Sequence, residues 1–290
     1  MAASLTQATG YDLQVWTGNV NGNPDGNPAN DTLSTNLSVV SAIPVKNVVI
    51  EDHTGAWCQF CPDGTATINN ILNTFPNAIA VSVHNGDAMA IPPGTAIQQA
   101  FVSGYPSGVV DHFKFAEYPT IATSTRAQWT SRVQIRSQHI VPVSIGIERA
   151  GWEASTRTIS VVVNTRFFGE IKEEVRINLW ILEDSVTGTG SGYNQTNAYN
   201  NTPGHPFQGR GNPIIGFVHD YTLRETLGGA WGIPHSPPPP GLADGQSYTF
   251  RFDHVLPANF NEKHIRLVAM LQQFDALDVE RRQIYNAAWI

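Results

Sequence analysis

Trp57-Cys58-Gln59-Phe60-Cys61-Pro62 contains the only two cysteines of the chain. A Cys-x-x-Cys pair that follows an apolar strand and opens a helix can make one thiol a nucleophile and the other its resolving partner. The attacking species is the thiolate, and the unpaired N–H groups and dipole of a helix N-terminus favour it. The pattern predicts Cys58 where such a helix begins. Cys61 lies one turn on, within reach of a mixed disulfide at Cys58. Pro62 has no N–H to contribute and suits a first helical turn. Two other readings stand beside this one, a purely structural disulfide and half of a zinc site. Zinc takes about four Cys or His ligands, and the sequence offers no second Cys pair.

The elements that must position this pair follow from hydrophobic period. Val45-Lys46-Asn47-Val48-Val49-Ile50-Glu51 reads as a buried strand, residues 63–75 carry apolar residues at helical spacing, and 78–84 reads as a second strand. That is a β-α-β unit. A helix over 97–101, a turn at Tyr105-Pro106, a short strand at Gly108-Val109-Val110-Asp111 and a closing helix over 118–137 complete an α/β domain at 45–138. From 139 to 290 the text changes to alternating strands at 140–148, 156–166, 174–184, 246–253 and 265–272, the signature of an all-β sandwich. A long insertion at 187–213 is rich in Gly, Asn and Thr, and the prolines at 237–240 predict polyproline II. Residues 218–224 between them predict a short helix. Before all this, Tyr11-Asp12-Leu13-Gln14-Val15-Trp16 and residues 32–43 read as two strands. Two strands cannot form a core alone, so 1–44 is expected to be a β extension docked on something else.

Composition narrows the function class. The 290 residues carry 17 Lys and Arg against 24 Asp and Glu, a formal charge of -7 with no basic run, which argues against nucleic acid. No stretch approaches the roughly 18 apolar residues that span a bilayer, and the start shows neither a basic n-region nor an apolar h-region. Few charges with many Gly, Pro, Asn, Ser and Thr suit a secreted or envelope protein, expected here as a processed chain with an added Met. No cofactor is expected.

The context of the cysteines resembles the active-site entry of the thioredoxin superfamily: Val48-Val49-Ile50-Glu51-Asp52, then Trp57-Cys58-x-x-Cys61, then a helix. The resemblance implies a proton-relay carboxylate beneath the cysteines, at Asp52, and a cis-proline loop that shapes the docking edge, at Pro106. The longer pattern Glu51-Asp52-His53-Thr54-Gly55-Ala56-Trp57-Cys58-x-x-Cys61-Pro62-Asp63-Gly64 is followed by His84-Asn85-Gly86-Asp87, Tyr105-Pro106-Ser107-Gly108 and Val218-His219-Asp220-Tyr221-Thr222-Leu223-Arg224. It resembles the Bacteroidota surface and secreted proteins called the twenty-eight-kilodalton outer-membrane-protein family. That implies a thioredoxin-like domain preceding a β-sandwich, from about Val45 to the C-terminus. Two departures concern redox direction: His53 where an aromatic is usual, and Gln59-Phe60 in place of the Gly-Pro of reducing thioredoxins. Residues up to Ser41 look like the end of an upstream adhesion-type domain.

Further residues are weighed beside this core. Trp57 and Tyr105 flank the pair as candidate binding residues. His84 and Asp87 end a strand at the carboxyl edge of the sheet, where ligands bind in open α/β folds, although loop residues holding a turn through Asn85-Gly86 are the stronger reading. His53 is placed by strand alternation opposite Asp52, away from the cysteines. Asn21, Asn23 and Asp25 match the start of a calcium loop, but the closing Glu position is Thr32. His219, Asp220 and Arg224 fall on one face of the predicted short helix. The Gly-x-Ser-x-Gly hydrolase pattern is absent. The leading expectation is an extracytoplasmic thiol-disulfide oxidoreductase acting on protein thiols or disulfides. The alternative is a secreted or cell-surface binding or structural module, meeting other surface proteins, whose Cys58-Cys61 disulfide is structural.

Overall fold

Val48–Thr54 (β3) is buried along its whole length, Glu51, Asp52 and His53 included, because the strand is covered on both faces. In the computed structural model, which describes residues 5, 7–18, 22, 27, 31–236 and 241–290, β3 pairs in parallel with β4 (Ala78–His84) and antiparallel with β5 (Ser107–Val110). Helix α1 (Cys61–Thr74) joins β3 to β4, α2 (Pro92–Phe101) follows β4, and α3 (Arg126–Ser137) follows β5. The predicted closing helix over 118–137 is shorter, because Thr123 exchanges both backbone hydrogen bonds (2.8 and 3.0 Å) with Gly108 of β5 and holds the segment before Arg126 out of helical backbone.

The remaining strands are β6 (Val143–Glu153), β7 (Thr158–Phe167), β8 (Val175–Glu183), β9 (Thr222–Thr226), β10 (Ile233–Pro234), β11 (Ser247–Val255), β12 (Ile265–Gln273) and β13 (Ile284–Trp289). They do not form a separate stack. One eight-stranded sheet runs β13-β12-β8-β9-β4-β3-β5, with β10 beside β8, so strands from both sides of residue 138 share it. This sheet curls back on itself. Ile284 N donates to Asp111 O (2.7 Å) just past β5, and Asn47 N donates to Asn286 Oδ1 (2.9 Å) just before β3. Inside the curl, Val49, Val81, Val83, Trp180, Leu182, Leu223, Val268, Met270 and Ile284 form one cluster, joined by Ile97 of α2. Outside it, α1 and α3 cover β3 and β4 through Ile68, Ile71, Trp129 and Val133. The three-stranded sheet β11-β7-β6 covers the outer faces of β8 and β12.

Residues 218–224 are not helical: Val186 bridges His219, Tyr221 is left-handed, and β9 begins at Thr222. Vacant pairing positions beside β8 and β4 outweigh the local helical spacing, a tertiary override of weak propensity. His219, Asp220 and Arg224 accordingly serve different neighbours. His219 Nε2 donates to Tyr193 O, Asp220 Oδ1 accepts from Ser185 N, and Arg224 pairs with Glu183 at 3.5 Å.

The N-terminal strands β1 (Gly10–Trp16) and β2 (Thr32–Ser38) form a hairpin of their own. It is tied to the segment just after β7 by Thr9 Oγ1 donating to Glu170 Oε2 (2.6 Å) and by Ser41 N donating to Phe168 O (2.7 Å). The calcium candidates Asn21, Asn23 and Asp25 and the prolines at 237–240 lie outside the described residues. Among the described residues no helix is long and apolar enough to cross a membrane.

Candidate functional site at the Cys58–Cys61 disulfide

Cys58 and Cys61 are joined by a disulfide and both are buried, at 4% and 1% exposure. Helix α1 starts at Cys61, with Phe60 as its N-cap. Cys58 thus sits one turn ahead of the helix instead of opening it. Its N–H is given to Gly55 O (2.9 Å), and its carbonyl accepts from Cys61 N (3.1 Å). A tight turn closes residues 55–61 before helical backbone begins, so Cys58 gains less from the helix dipole than a first-turn residue would.

Asp52 points outward from the curl, toward α1. A Cβ on Gly64 would lie 3.0 Å from both Asp52 carboxylate oxygens, so the missing side chain at Gly64 is what lets helix and carboxyl approach. Burial pushes the Asp52 carboxyl up to about 7, with the Arg126 charge pulling the other way. Among the described residues its Oδ1 has no hydrogen-bond partner. Strand alternation sends Glu51 and His53 to the opposite face. There Glu51 contacts His53 Nε2 (3.0 Å) and His112 Nε2 (2.5 Å). Burial would raise the Glu51 carboxyl, but His112 and His53 outweigh it and hold it down at about 2. His53 belongs to that inner cluster.

The Tyr105–Pro106 peptide bond is cis. The Tyr105 ring meets Trp57 edge-on at 5.4 Å, and Trp57 Nε1 donates to Asn85 O (2.7 Å). A Cβ on Gly55 would lie 2.7 Å from that indole nitrogen, so Gly55 is needed for Trp57 to lie flat. His84 and Asp87 sit behind this turn. His84 Nδ1 lies 2.7 Å from Asp87 Oδ2, which also accepts from Ala56 N (2.8 Å), while Asp87 Oδ1 accepts from Met89 N. Burial would raise the Asp87 carboxyl, but hydrogen bonds from His84, Ala56 and Met89 hold it below the usual range. The His84 and His219 rings meet at 5.0 Å, and burial together with His84 takes His219 down to about 4. These groups brace the disulfide turn from behind.

What the sequence reading missed is the strap in front. Within the insertion, Gln195 Nε2 donates to Cys58 O (2.8 Å) and Gly55 O (3.2 Å), Thr196 N to Ala56 O (2.8 Å) and Ala198 N to Gln59 O (2.8 Å). Buried Asn197 holds the strap's own shape, donating to Phe207 O and Gly211 O and accepting from Tyr199 N. Phe60 packs against Tyr199, which stacks on His205 at 3.9 Å; His205 reaches Asp63 at 3.4 Å, and Asp63 pairs with Arg126 at 2.9 Å. The amide-rich composition of 187–213 was the available signal, since Asn and Gln can satisfy backbone groups at a distance. Among the described residues no three His, Cys, Asp or Glu side chains gather in a way that could hold a metal ion.

No curated protein sequence matches the chain. Among solved structures, HBP35 of Porphyromonas gingivalis superposes with a TM-score of 0.65 at 16% identity, covering 84% of this chain and 74% of its own. That likeness is one of fold. A domain of the outer membrane lipoprotein Omp28 from Porphyromonas gingivalis aligns over 52% of this chain and 88% of its own, at 15% identity and a TM-score of 0.28. The family described as Outer membrane protein Omp28 matches residues 94–287, more than half of the chain, which places the protein at the cell envelope. The chain belongs to the Omp28 outer membrane protein family.

Proposed function

We propose that this protein is a cell-surface binding or structural module whose Cys58–Cys61 disulfide is a permanent staple. The observation that carries this reading is the strap. Four hydrogen bonds from Gln195, Thr196 and Ala198 occupy the backbone carbonyls of residues 55–59. Held behind that strap, Cys58 is 4% exposed, which leaves its sulfur little access to a partner disulfide. In this reading a thioredoxin-like unit over 45–138 and a sandwich unit over 139–290 share one sheet, with 1–44 as a β extension. The module's partners are other surface proteins.

A second reading, an extracytoplasmic thiol-disulfide oxidoreductase, is favoured by the buried Asp52 carboxyl against α1. In its reduced form the Cys58 thiolate would attack a partner disulfide, forming a mixed disulfide and releasing one partner thiolate. The Cys61 thiolate would then attack Cys58, closing the Cys58–Cys61 bond and releasing the second partner thiolate. Asp52 would take the Cys61 proton, and Pro106 would shape the docking edge beside Trp57 and Tyr105. A turnover assay with a small disulfide-bonded protein and dithiothreitol separates the readings. The staple predicts no rate above that of the Cys58→Ser, Cys61→Ser double variant; catalysis above that background would replace the first reading with the second.

A further inference from the structure

At the amino end of β4, far along α1 from the disulfide, the curled sheet has an open slot of about 220 Å³. Its walls are apolar: Leu72 near the end of α1, Ala80 on β4, Leu182 on β8 and Val268 on β12. The slot exists because β9 is short. Its pairing with β4 is confined to Ser82 and Thr222, so Ala78 to Ala80 have no strand partner on that side among the described residues.

The rim carries a polar arrangement held from behind. Arg266 Nε donates to Asp184 Oδ2, while Asp184 Oδ1 accepts from Tyr221 N (2.9 Å). One carboxylate therefore fixes both a guanidinium and the residue beside it. The guanidinium lies 5.5 Å from the ring centroids of both Tyr221 and Trp289, a clamp that orients its plane. Tyr221 itself is left-handed, with φ 56, a conformation unfavourable for a non-glycine residue and held by its surroundings. Among the described residues Arg266 gives a hydrogen bond from Nε alone, which leaves Nη1 and Nη2 for a ligand. A planar fork of two N–H donors matches a carboxylate.

Size selects the rest of the ligand. Drug-sized ligands take roughly 300–1,000 Å³, more than this slot has, whereas an apolar cavity of roughly 150 Å³ holds benzene. We propose that the slot binds a small aryl carboxylate, with its ring between β4 and β12 and its carboxylate on the outer fork of Arg266. Asp184 is then a positioning residue, and Tyr221 and Trp289 set the width of the entrance.

The full chain is titrated with 3-phenylpropionate and, separately, with 3-phenylpropanol, by calorimetry and by ligand-to-methyl NOE. The expected result is saturable one-site binding of the carboxylate with a Kd on the order of 1 mM or tighter. NOEs should run from its ring to Leu182 and Val268 methyls. The alcohol should bind about tenfold more weakly or worse, as should the carboxylate to Arg266→Gln, because each loses a charge-assisted hydrogen bond. Equal affinity for acid and alcohol would overturn the carboxylate assignment. NOEs to other methyls, or none at saturating acid, would overturn the location in wild-type protein, whether or not the variant folds.

Discussion

The two ends of β4 were finished in opposite ways. At the carboxyl end, beside His84, the backbone of the disulfide turn is held on two sides while the Trp57 and Phe60 rings stay about half exposed: His84 and Asp87 brace it from behind, and Gln195 to Ala198 bond it from the front. At the amino end, Ala78 to Ala80 border an open apolar slot with a guanidinium at its mouth. The sealed end carries the residues that look reactive in sequence. The open end carries no motif at all. Reactive residue types at suggestive spacing therefore mark where the chain is held, while free surface for a ligand lies where a strand stops short.

The largest expected effect tests how well the carboxyl end is sealed. Asp52 goes from an ordinary 3.8 to about 7 on burial, so between about pH 4 and pH 7 the folded protein keeps a proton that the unfolded chain gives up. The share of stability that depends on Asp52 should fall as pH rises through that window and level off above it, while buried His219, held down at about 4, contributes a slope of the opposite sign. Moving one carboxyl that far is worth at most roughly 4 kcal/mol. The difference between wild type and Asp52→Asn isolates that share: the variant should gain on the wild type by up to that amount between about pH 4 and pH 8 in denaturant titrations. A difference that does not change with pH would mean that water reaches Asp52 and that the end is not closed.

A smaller effect is expected in the strap. Gln195→Ala removes one of the two donors to each of Gly55 O and Cys58 O and should cost about 1–3 kcal/mol, two hydrogen bonds of roughly 0.5–1.5 kcal/mol each. The same variant should be reduced faster by dithiothreitol, because Cys58 becomes approachable. An unchanged reduction rate would show that the strap does not guard the bond. Smallest of all is His205→Ala, which loses the stack on Tyr199 and a half-exposed contact with Asp63. It should cost no more than about 1 kcal/mol in thermal or denaturant unfolding. A larger loss would show that the strap hangs on its outer aromatic edge and not on Asn197.

Much of the fold could be read along the chain because its signals are local. The apolar start of β3, the helical spacing after Cys61 and the alternation in β7 and β11 each fix an element without reference to the rest. The Cys58–Cys61 pairing is equally local. Gln195 was not readable as a cap on Cys58, because 137 residues separate them and an amide in a polar loop looks like any other. Residues 218–224 were misread as helix for a related reason: what holds them out of helical backbone is the vacancy between β8 and β4, which exists only once both strands are in place. The slot is assembled from Leu72, Leu182, Tyr221, Arg266 and Trp289, and no window of sequence contains more than one of them. Sharing of one sheet across residue 138 escaped notice in the same way, since strand order is not written in strand pattern.

The central claim is that the Cys58–Cys61 bond is a staple. Its reduction potential, measured by equilibration with a glutathione or dithiothreitol redox buffer and read by thiol titration near pH 7, tests that most directly. A staple predicts a potential below about -300 mV with no reactive thiol until the protein unfolds. A potential in the range of about -270 to -120 mV, where dithiol oxidoreductases work, together with a thiol that reacts in the folded state, would contradict it.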